Sequence, residues 1–217
     1  MRKKSRILKP ESQMMSYGYR PDLSEGSLKP PVFLTSTWAF KNAREAKRSF
    51  ELVAGLRQPL TGEIPELIYS RYNNPNLQIA EERLSLWDNA QDCAICASGM
   101  AAISTPLLAT LKPGDVVLHS EPLYRGTNEL MKTILPGLGF TTVGFGPNNV
   151  PSDFSSDRVA VVYIETPANP TNALFDIRMW AQAARQWSRS TGRKTLLMAD
   201  NTFLGPLFQH PLRLGAD

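Results

Sequence analysis

Five short apolar runs alternate with helical segments along the second half of the chain. No other feature of the sequence restricts the fold as much. The runs cover residues 93–97, 116–119, 140–143, 159–164 and 195–199, and helical segments lie near 100–111, 127–135 and 176–189. A strand covered on both faces reads as a continuous apolar run, and a helix that crosses back over the sheet makes its neighbours parallel. The pattern therefore predicts an α/β domain with a mostly parallel sheet flanked by helices. Upstream, Leu77, Ala80, Leu84 and Trp87 recur at helical spacing, predicting a helix from residue 76 to about 87. Asn42 is placed to cap another helix over residues 42–52. Pro106 falls within the first two turns of its segment, where a kink or late start is expected rather than loss of the helix.

The first 60 residues read differently. Residues 1–35 lack periodicity and carry Pro21, Gly26, Pro30 and Pro31, the composition of an extended arm. Residues 55–67 are loop-like, with Pro59, Gly62 and Pro65. The formal net charge of +4 belongs to the tail: Arg2, Lys3, Lys4, Arg6 and Lys9 are five of the 24 basic residues, and without them 19 face 20 acids. A solvated terminus is the reading preferred over a nucleic-acid contact. No apolar run reaches the length of a membrane span, and no signal core follows Met1. A cytoplasmic chain with no membrane or nucleic-acid partner is expected. Cys93 and Cys96 are read as inert thiols on a short buried strand. Residues three apart on a strand point to opposite faces, and only His119 and His210 exist to complete a metal site. No metal is expected.

Several strand ends carry residues suited to ligand chemistry. Ligands of open α/β sheets bind outside the carboxyl ends of the strands. Asp200 stands at one such end, followed by Asn201 and Thr202. It could hold a protonated ring nitrogen, or it could cap a turn. Ser98-Gly99-Met100 sits between a run and a helix, where free N–H groups and the dipole favour an anion such as a phosphate. Tyr69 and Arg71 lie in an irregular loop; a guanidinium fork and a phenol suit phosphate, and a surface pair is the alternative. Tyr124 follows the run 116–119 by a short loop and is either a stacking residue or a core tyrosine. Asn169 follows the run 159–164, as a ligand group or as a turn residue before Pro170. Dinucleotide, Walker and serine-elbow motifs are missing from the sequence.

Taken in order, Ile68-Tyr69-Ser70-Arg71-Tyr72-Asn73-Asn74-Pro75, Ala97-Ser98-Gly99-Met100-Ala101-Ala102, Leu123-Tyr124-Arg125-Gly126-Thr127, Glu165-Thr166-Pro167-Ala168-Asn169-Pro170 and Ala199-Asp200-Asn201-Thr202 closely resemble the Cys/Met-metabolism family of pyridoxal-phosphate (PLP) enzymes. That family includes cystathionine γ-synthase, cystathionine lyases and methionine γ-lyase. The resemblance covers residues 15 to 217. It implies the large PLP-binding domain of the aspartate-aminotransferase-like fold (fold type I), with a basic tail and arm over residues 1–60 and an incomplete domain over 61–217. The C-terminal part would be absent.

The same resemblance implies roles for individual residues. The amides of Gly99 and Met100, with Ser98, would hold the cofactor phosphate. Tyr69 and Arg71 would reach the phosphate of a neighbouring subunit. Tyr124 would stack on the ring and move protons, Asn169 would bond the phenolic oxygen, Asp200 would pair with the ring nitrogen, and Thr202 would sit beside the ring. A homo-oligomer with shared sites, a dimer assembling to a tetramer, is expected to act on a sulfur amino acid by β/γ-elimination or γ-replacement. The most expected activity is cystathionine γ-synthase-like. Arg125 stands where glycine is common in the family, and Gly126 where methionine γ-lyases typically carry a cysteine, a departure from a typical methionine γ-lyase. The family's Ser-x-Thr-Lys segment, whose lysine bonds the cofactor, does not occur in these 217 residues. The chain by itself is therefore expected to be inactive, as a fragment acting, if at all, by assembly with a partner chain.

Overall fold

The computed structural model describes residues 8–61, 63, 67–147 and 158–217. The basic tail, apart from Lys9, lies outside the described residues. Two compact units divide the chain: residues 1–86 with 91–95, and residues 87–90 with 96–217.

The N-terminal unit is built from short elements. Helix α1 (Pro10–Gln13) and a 3-10 turn (Pro21–Leu23) precede α2 (Ala43–Val53), and α3 (Pro75–Asp88) follows. Asn42 caps α2 as expected, its side chain accepting from the Glu45 N–H at 2.9 Å. Little else in the arm is regular, and side chains take the place of ladder bonds. Asn76 accepts from the Phe33 N–H at 2.8 Å and donates to the Pro31 carbonyl at 2.8 Å. Glu63 is clamped by Arg48 at 3.1 Å and Arg57 at 2.6 Å. The Arg57 hydrogen bond, with the Leu60 amide, draws the Glu63 carboxyl down to about 2.

The second unit carries the sheet. After α4 (Gly99–Thr110) come β1 (Val116–Ser120) and α5 (Arg125–Glu129). A π-helical turn (Leu130–Ile134) and α6 (Leu135–Gly137) then lead to β2 (Thr141–Phe145). Next are β3 (Val159–Glu165), α7 (Ile177–Thr191), β4 (Leu196–Asp200), α8 (Gly205–Phe208) and α9 (Pro211–Leu214). The four strands are parallel, in the order β2-β1-β3-β4. Every residue of β1 and β3 is buried.

Side chains of β1 and β3 divide between two cores, one per face. Val116, Leu118, Val162 and Ile164 pack with Trp180 and Ala184 of α7, where Phe145 stacks on Trp180 at 3.7 Å. Val117, Val161 and Tyr163 pack with Leu107 of α4 and Met131 of the π turn. Strict alternation would put Ala160 and Val161 on opposite faces. Both lie on the second, because the β1–β3 register shifts between Val116 and Val117. Asp176 caps α7 from both the Arg178 and Met179 N–H groups, and Gly192 ends the helix at φ 70°, a conformation that costs glycine least. Helix α4 runs through Pro106 to Thr110, so the proline does not end it.

One expected strand is not formed. Residues 93–97 are irregular and no more than half-buried. An apolar run forms a strand only beside a ladder partner; here the Ile95 N–H goes instead to the Glu81 carboxylate at 2.9 Å. Cys93 and Cys96 are half-buried in this irregular segment and not in a disulfide, so the short buried strand expected to carry them is not there.

Candidate functional site: a cleft at the carboxyl ends of the strands

The parallel strands bring their carboxyl ends to one edge of the sheet, and a cleft of about 360 Å³ opens there. Seven sequence-predicted residues line it together: Ser98, Gly99, Met100, Tyr124, Asn169, Asp200 and Thr202. Tyr69 and Arg71 belong to the N-terminal unit and do not line the cleft. There the Arg71 guanidinium lies 4.6 Å from the Tyr69 ring centroid.

One end of the cleft is the start of α4. The Ser98 hydroxyl accepts from the Ala101 N–H at 3.1 Å, capping the helix with its own side chain. No acceptor for the Gly99 and Met100 N–H groups occurs among the described residues, as expected for the first turn of a helix. A Cβ built at Gly99 meets nothing within 4 Å, so the cleft is open on that side of the glycine. Paired free amides at the positive end of a 12-residue helix suit a phosphate.

The other end is acidic. Asp200 ends β4, and both its oxygens accept from the protein. Oδ1 takes the Thr202 hydroxyl at 2.5 Å and the Thr202 N–H at 3.0 Å, and Oδ2 takes the Tyr163 hydroxyl at 3.1 Å. Burial first, and then the Asp200 charge, push the Tyr163 phenol well above its ordinary value, so it remains a donor. Asp200 takes part in no ion pair among the described residues. A carboxylate held by neutral donors and facing a cleft is suited to a cationic ring nitrogen. Thr202 is thus committed to Asp200, and Asn201 to the turn, its side chain donating to the Gln209 carbonyl at 3.0 Å.

Tyr124 is the residue before α5, without a side-chain cap, and is 45% exposed in the cleft wall. The glycine at 126 explains its position: a Cβ there would lie 2.8 Å from Tyr124 Cε1 and 2.8 Å from the Met100 sulfur. Two residues were missed in the sequence. Tyr163 was absorbed into an apolar run, and Glu165 was read only as the first letter of a motif. Glu165 is buried at 4% exposure and accepts from the Tyr124 N–H at 2.8 Å and the Asn169 N–H at 2.7 Å. Burial pushes its carboxyl up, the two amides oppose that shift, and Asp200 adds to it. An acid ending a fully apolar strand was the available signal for Glu165.

A parallel four-stranded sheet flanked by helices is the architecture this chain shares with fold type I PLP enzymes. Residues 11–217 match the family described as Cys/Met metabolism PLP-dependent enzyme, and the chain belongs to it. It is 33% identical over 194 residues to an L-methionine gamma-lyase of Fusobacterium nucleatum subsp. polymorphum, covering 88% of this chain and 45% of that protein. A cystathionine gamma-synthase of Mycobacterium bovis is 29% identical over 210 residues, covering 96% and 48%. A Campylobacter jejuni structure assigned as an O-acetylhomoserine (thiol)-lyase superposes at a TM-score of 0.83 with 25% identity, over 97% of this chain and 48% of its own, and carries a pyridoxyl-lysine monophosphate. The chain spans about half the length of the curated relatives it matches. The family's cofactor is pyridoxal phosphate, and its members include transsulfuration enzymes of several kinds.

Proposed function

We propose that this chain supplies the cofactor half of a PLP-dependent enzyme that performs β/γ-elimination or γ-replacement on a sulfur amino acid, most closely in the manner of a cystathionine γ-synthase. One observation carries the reading: free amides at the start of α4 and an ion-pair-free carboxylate, Asp200, line the same cleft. When bound, pyridoxal phosphate supplies an aldehyde for the substrate amine and a ring that accepts the electrons released at the α-carbon. Gly99 and Met100 donate to its phosphate. Asp200 holds a proton on the ring nitrogen, with Tyr163 and Thr202 fixing the carboxylate. Tyr124 covers one face of the ring and moves protons from its hydroxyl, and Asn169 donates to the phenolic oxygen. Tyr69 and Arg71 reach the phosphate of a second copy, in a dimer that assembles to a tetramer.

Glycine at 126, in place of cysteine, supports the synthase-like reading over a methionine γ-lyase. The test is an assay of the protein expressed from its full reading frame. Cystathionine, methionine and an O-acylated homoserine with cysteine would each be supplied with PLP. Fastest turnover with the O-acylated homoserine is expected; a preference for methionine would make the protein a γ-lyase.

A second reading concerns the 217 residues alone. Lys112 and Lys194 precede β1 and β4, at the edge opposite the cleft, and no described lysine lines it. We infer that these residues alone have no turnover and work by assembly with a chain that carries the lysine. Mapping a borohydride-fixed PLP adduct tests this. A stoichiometric adduct on one lysine of the 217, with turnover, would overturn it.

A further inference from the structure

The buried carboxylate of Glu165 belongs to no ion pair among the described residues, and its contacts go to backbone. Its Oε2 accepts from the Tyr124 N–H at 2.8 Å and its Oε1 from the Asn169 N–H at 2.7 Å. Those amides open α5 and the turn after β3, two segments 45 residues apart in sequence that carry the cleft's ring-facing side chains. The Glu165 main chain is itself fixed on both sides. Its N–H donates to the Ser120 hydroxyl at 3.0 Å, and the next N–H, of Thr166, donates to the Asp200 carbonyl at 3.2 Å. Glu165 thus sits where the ends of β1, β3 and β4 meet. We propose that Glu165 is a positioning residue that sets the separation of Tyr124 and Asn169, and thereby the width of the slot between them.

The chemistry requires a carboxylate at this place. Two N–H donors converge on one side chain, and only an ionised acid offers an acceptor to each. A glutamine of equal size accepts one and presents its own N–H₂ to the other. One backbone donor is then left facing a donor in a buried site, which is costlier than a missing contact. Loss of either bond frees one wall of the slot. Hydrogen bonds to a buried charge are strong enough to matter in binding; losing one corresponds to about a 10–100-fold change in an equilibrium constant.

This inference rests on the reading of the cleft as a PLP site for its binding arm alone. The first arm is hydrogen exchange of the Tyr124 and Asn169 amides in the protein as it stands. In Glu165→Gln, one of the two should lose protection at least about 10-fold while the β1 and β3 amides keep theirs. Unchanged protection at both overturns the proposal. The second arm is PLP affinity, where Kd should rise about 10–100-fold in Glu165→Gln. Adding Asn169→Ala to that variant should cost less than it does in the wild type, since the residue has already lost its place. Full additivity would reduce Glu165 to a structural residue and overturn the proposal. If Glu165→Gln does not fold, Glu165→Asp carries both arms, since its shorter side chain cannot span both amides. A wild-type protein that keeps both amides protected yet binds no PLP would refute the proposed function and leave the link between the two loops standing.

Discussion

The acids that line the cleft and those at the opposite edge of the parallel sheet have opposite kinds of partner, while Glu121, just past β1 and outside the cleft lining, pairs with Lys132 at 2.9 Å. At the amino edge two described acids each have a base. Asp115, with its side chain 2% exposed, takes both Arg193 terminal nitrogens at 2.5 Å, and Asp217 pairs with Lys194 at 2.7 Å. At the carboxyl edge Glu165 and Asp200 face each other across the β3–β4 register with only amides and hydroxyls as partners. Pairing neutralises charge and stabilises the fold. Unpaired acids at a sheet edge cost stability, and they are left unpaired where a ligand brings the missing positive charge.

The largest effect should come from removing the charge intended for the ligand. Asp200→Asn keeps an oxygen to accept from Thr202, and its N–H₂ can donate to the Tyr163 hydroxyl, which can accept as well as donate, so the fold should hold. Turnover in the protein from the full reading frame should drop on the order of 100–1000-fold, because a neutral amide does not hold a proton on the ring nitrogen. Near-normal turnover would remove Asp200 from the chemistry and leave the edges alike.

The matching change at the other edge should act on stability alone. Asp115→Asn breaks the Arg193 fork and weakens the turn held by the Lys112 N–H, which donates to Asp115 at 2.7 Å. A loss of about 1–3 kcal/mol is expected, read as a lower midpoint in denaturant. PLP affinity should not change. If it weakened as much as stability, the edges would be coupled and the division of labour wrong.

Acid titration separates the edges by sign. The Arg193 hydrogen bond holds the Asp115 carboxyl below its ordinary value. Its stabilisation is therefore complete above the unfolded value near pH 4 and is lost as pH falls through the lower folded value. Glu165 is shifted the other way, chiefly by burial. The folded state then holds its proton more tightly than the unfolded chain. Stability from this group is greatest below about pH 4 and falls as pH rises through the raised value. Urea midpoints from pH 3 upward should show Asp115→Asn flattening the acid limb, and Glu165→Gln flattening the decline above it. The same limb flattened by both variants would contradict these assignments.

How far the sequence reveals this arrangement depends on where each element gets its partners. Strands β1 and β3 are legible because they are covered on both faces, and continuous apolar residues are the direct consequence. The run 93–97 has the same composition and forms no strand, because composition reports burial tendency and not the presence of a neighbour. The open first turn of α4 at Gly99 and Met100 is legible from the Ser98 cap and a glycine at the head of an apolar helical segment, although the strand expected before it does not form. Glu165 and Tyr163 are not, since their roles depend on chain segments some 35 to 45 residues away in sequence. Nothing in the local pattern marks a strand tyrosine as an aspartate's donor.

The smallest expected effect lies at Gly126, and it refines the view of the carboxyl edge as a site shaped for a flat ring. A Cβ there would come within 2.8 Å of both the Tyr124 ring and the Met100 sulfur, too close for either to stay. Tyr124 is 45% exposed, which leaves its ring room to swing, so Gly126→Cys should fold normally, with thermal unfolding close to wild type. The ring's displacement should alter its stacking on the cofactor. Stacking of this kind contributes about 0.5–1.5 kcal/mol, so PLP affinity should weaken about 2- to 10-fold. Replacement turnover should fall in proportion, and the balance between methionine and O-acylated homoserine should move toward methionine. Gly126→Ala places the same Cβ without the thiol and separates shape from chemistry. Equal loss in both variants assigns the effect to Tyr124's position. A change of substrate balance only in the cysteine variant assigns it to the thiol. If neither variant shifts affinity or balance, Tyr124 is not held by the glycine, and the ring-facing wall must be set from the Glu165 side alone.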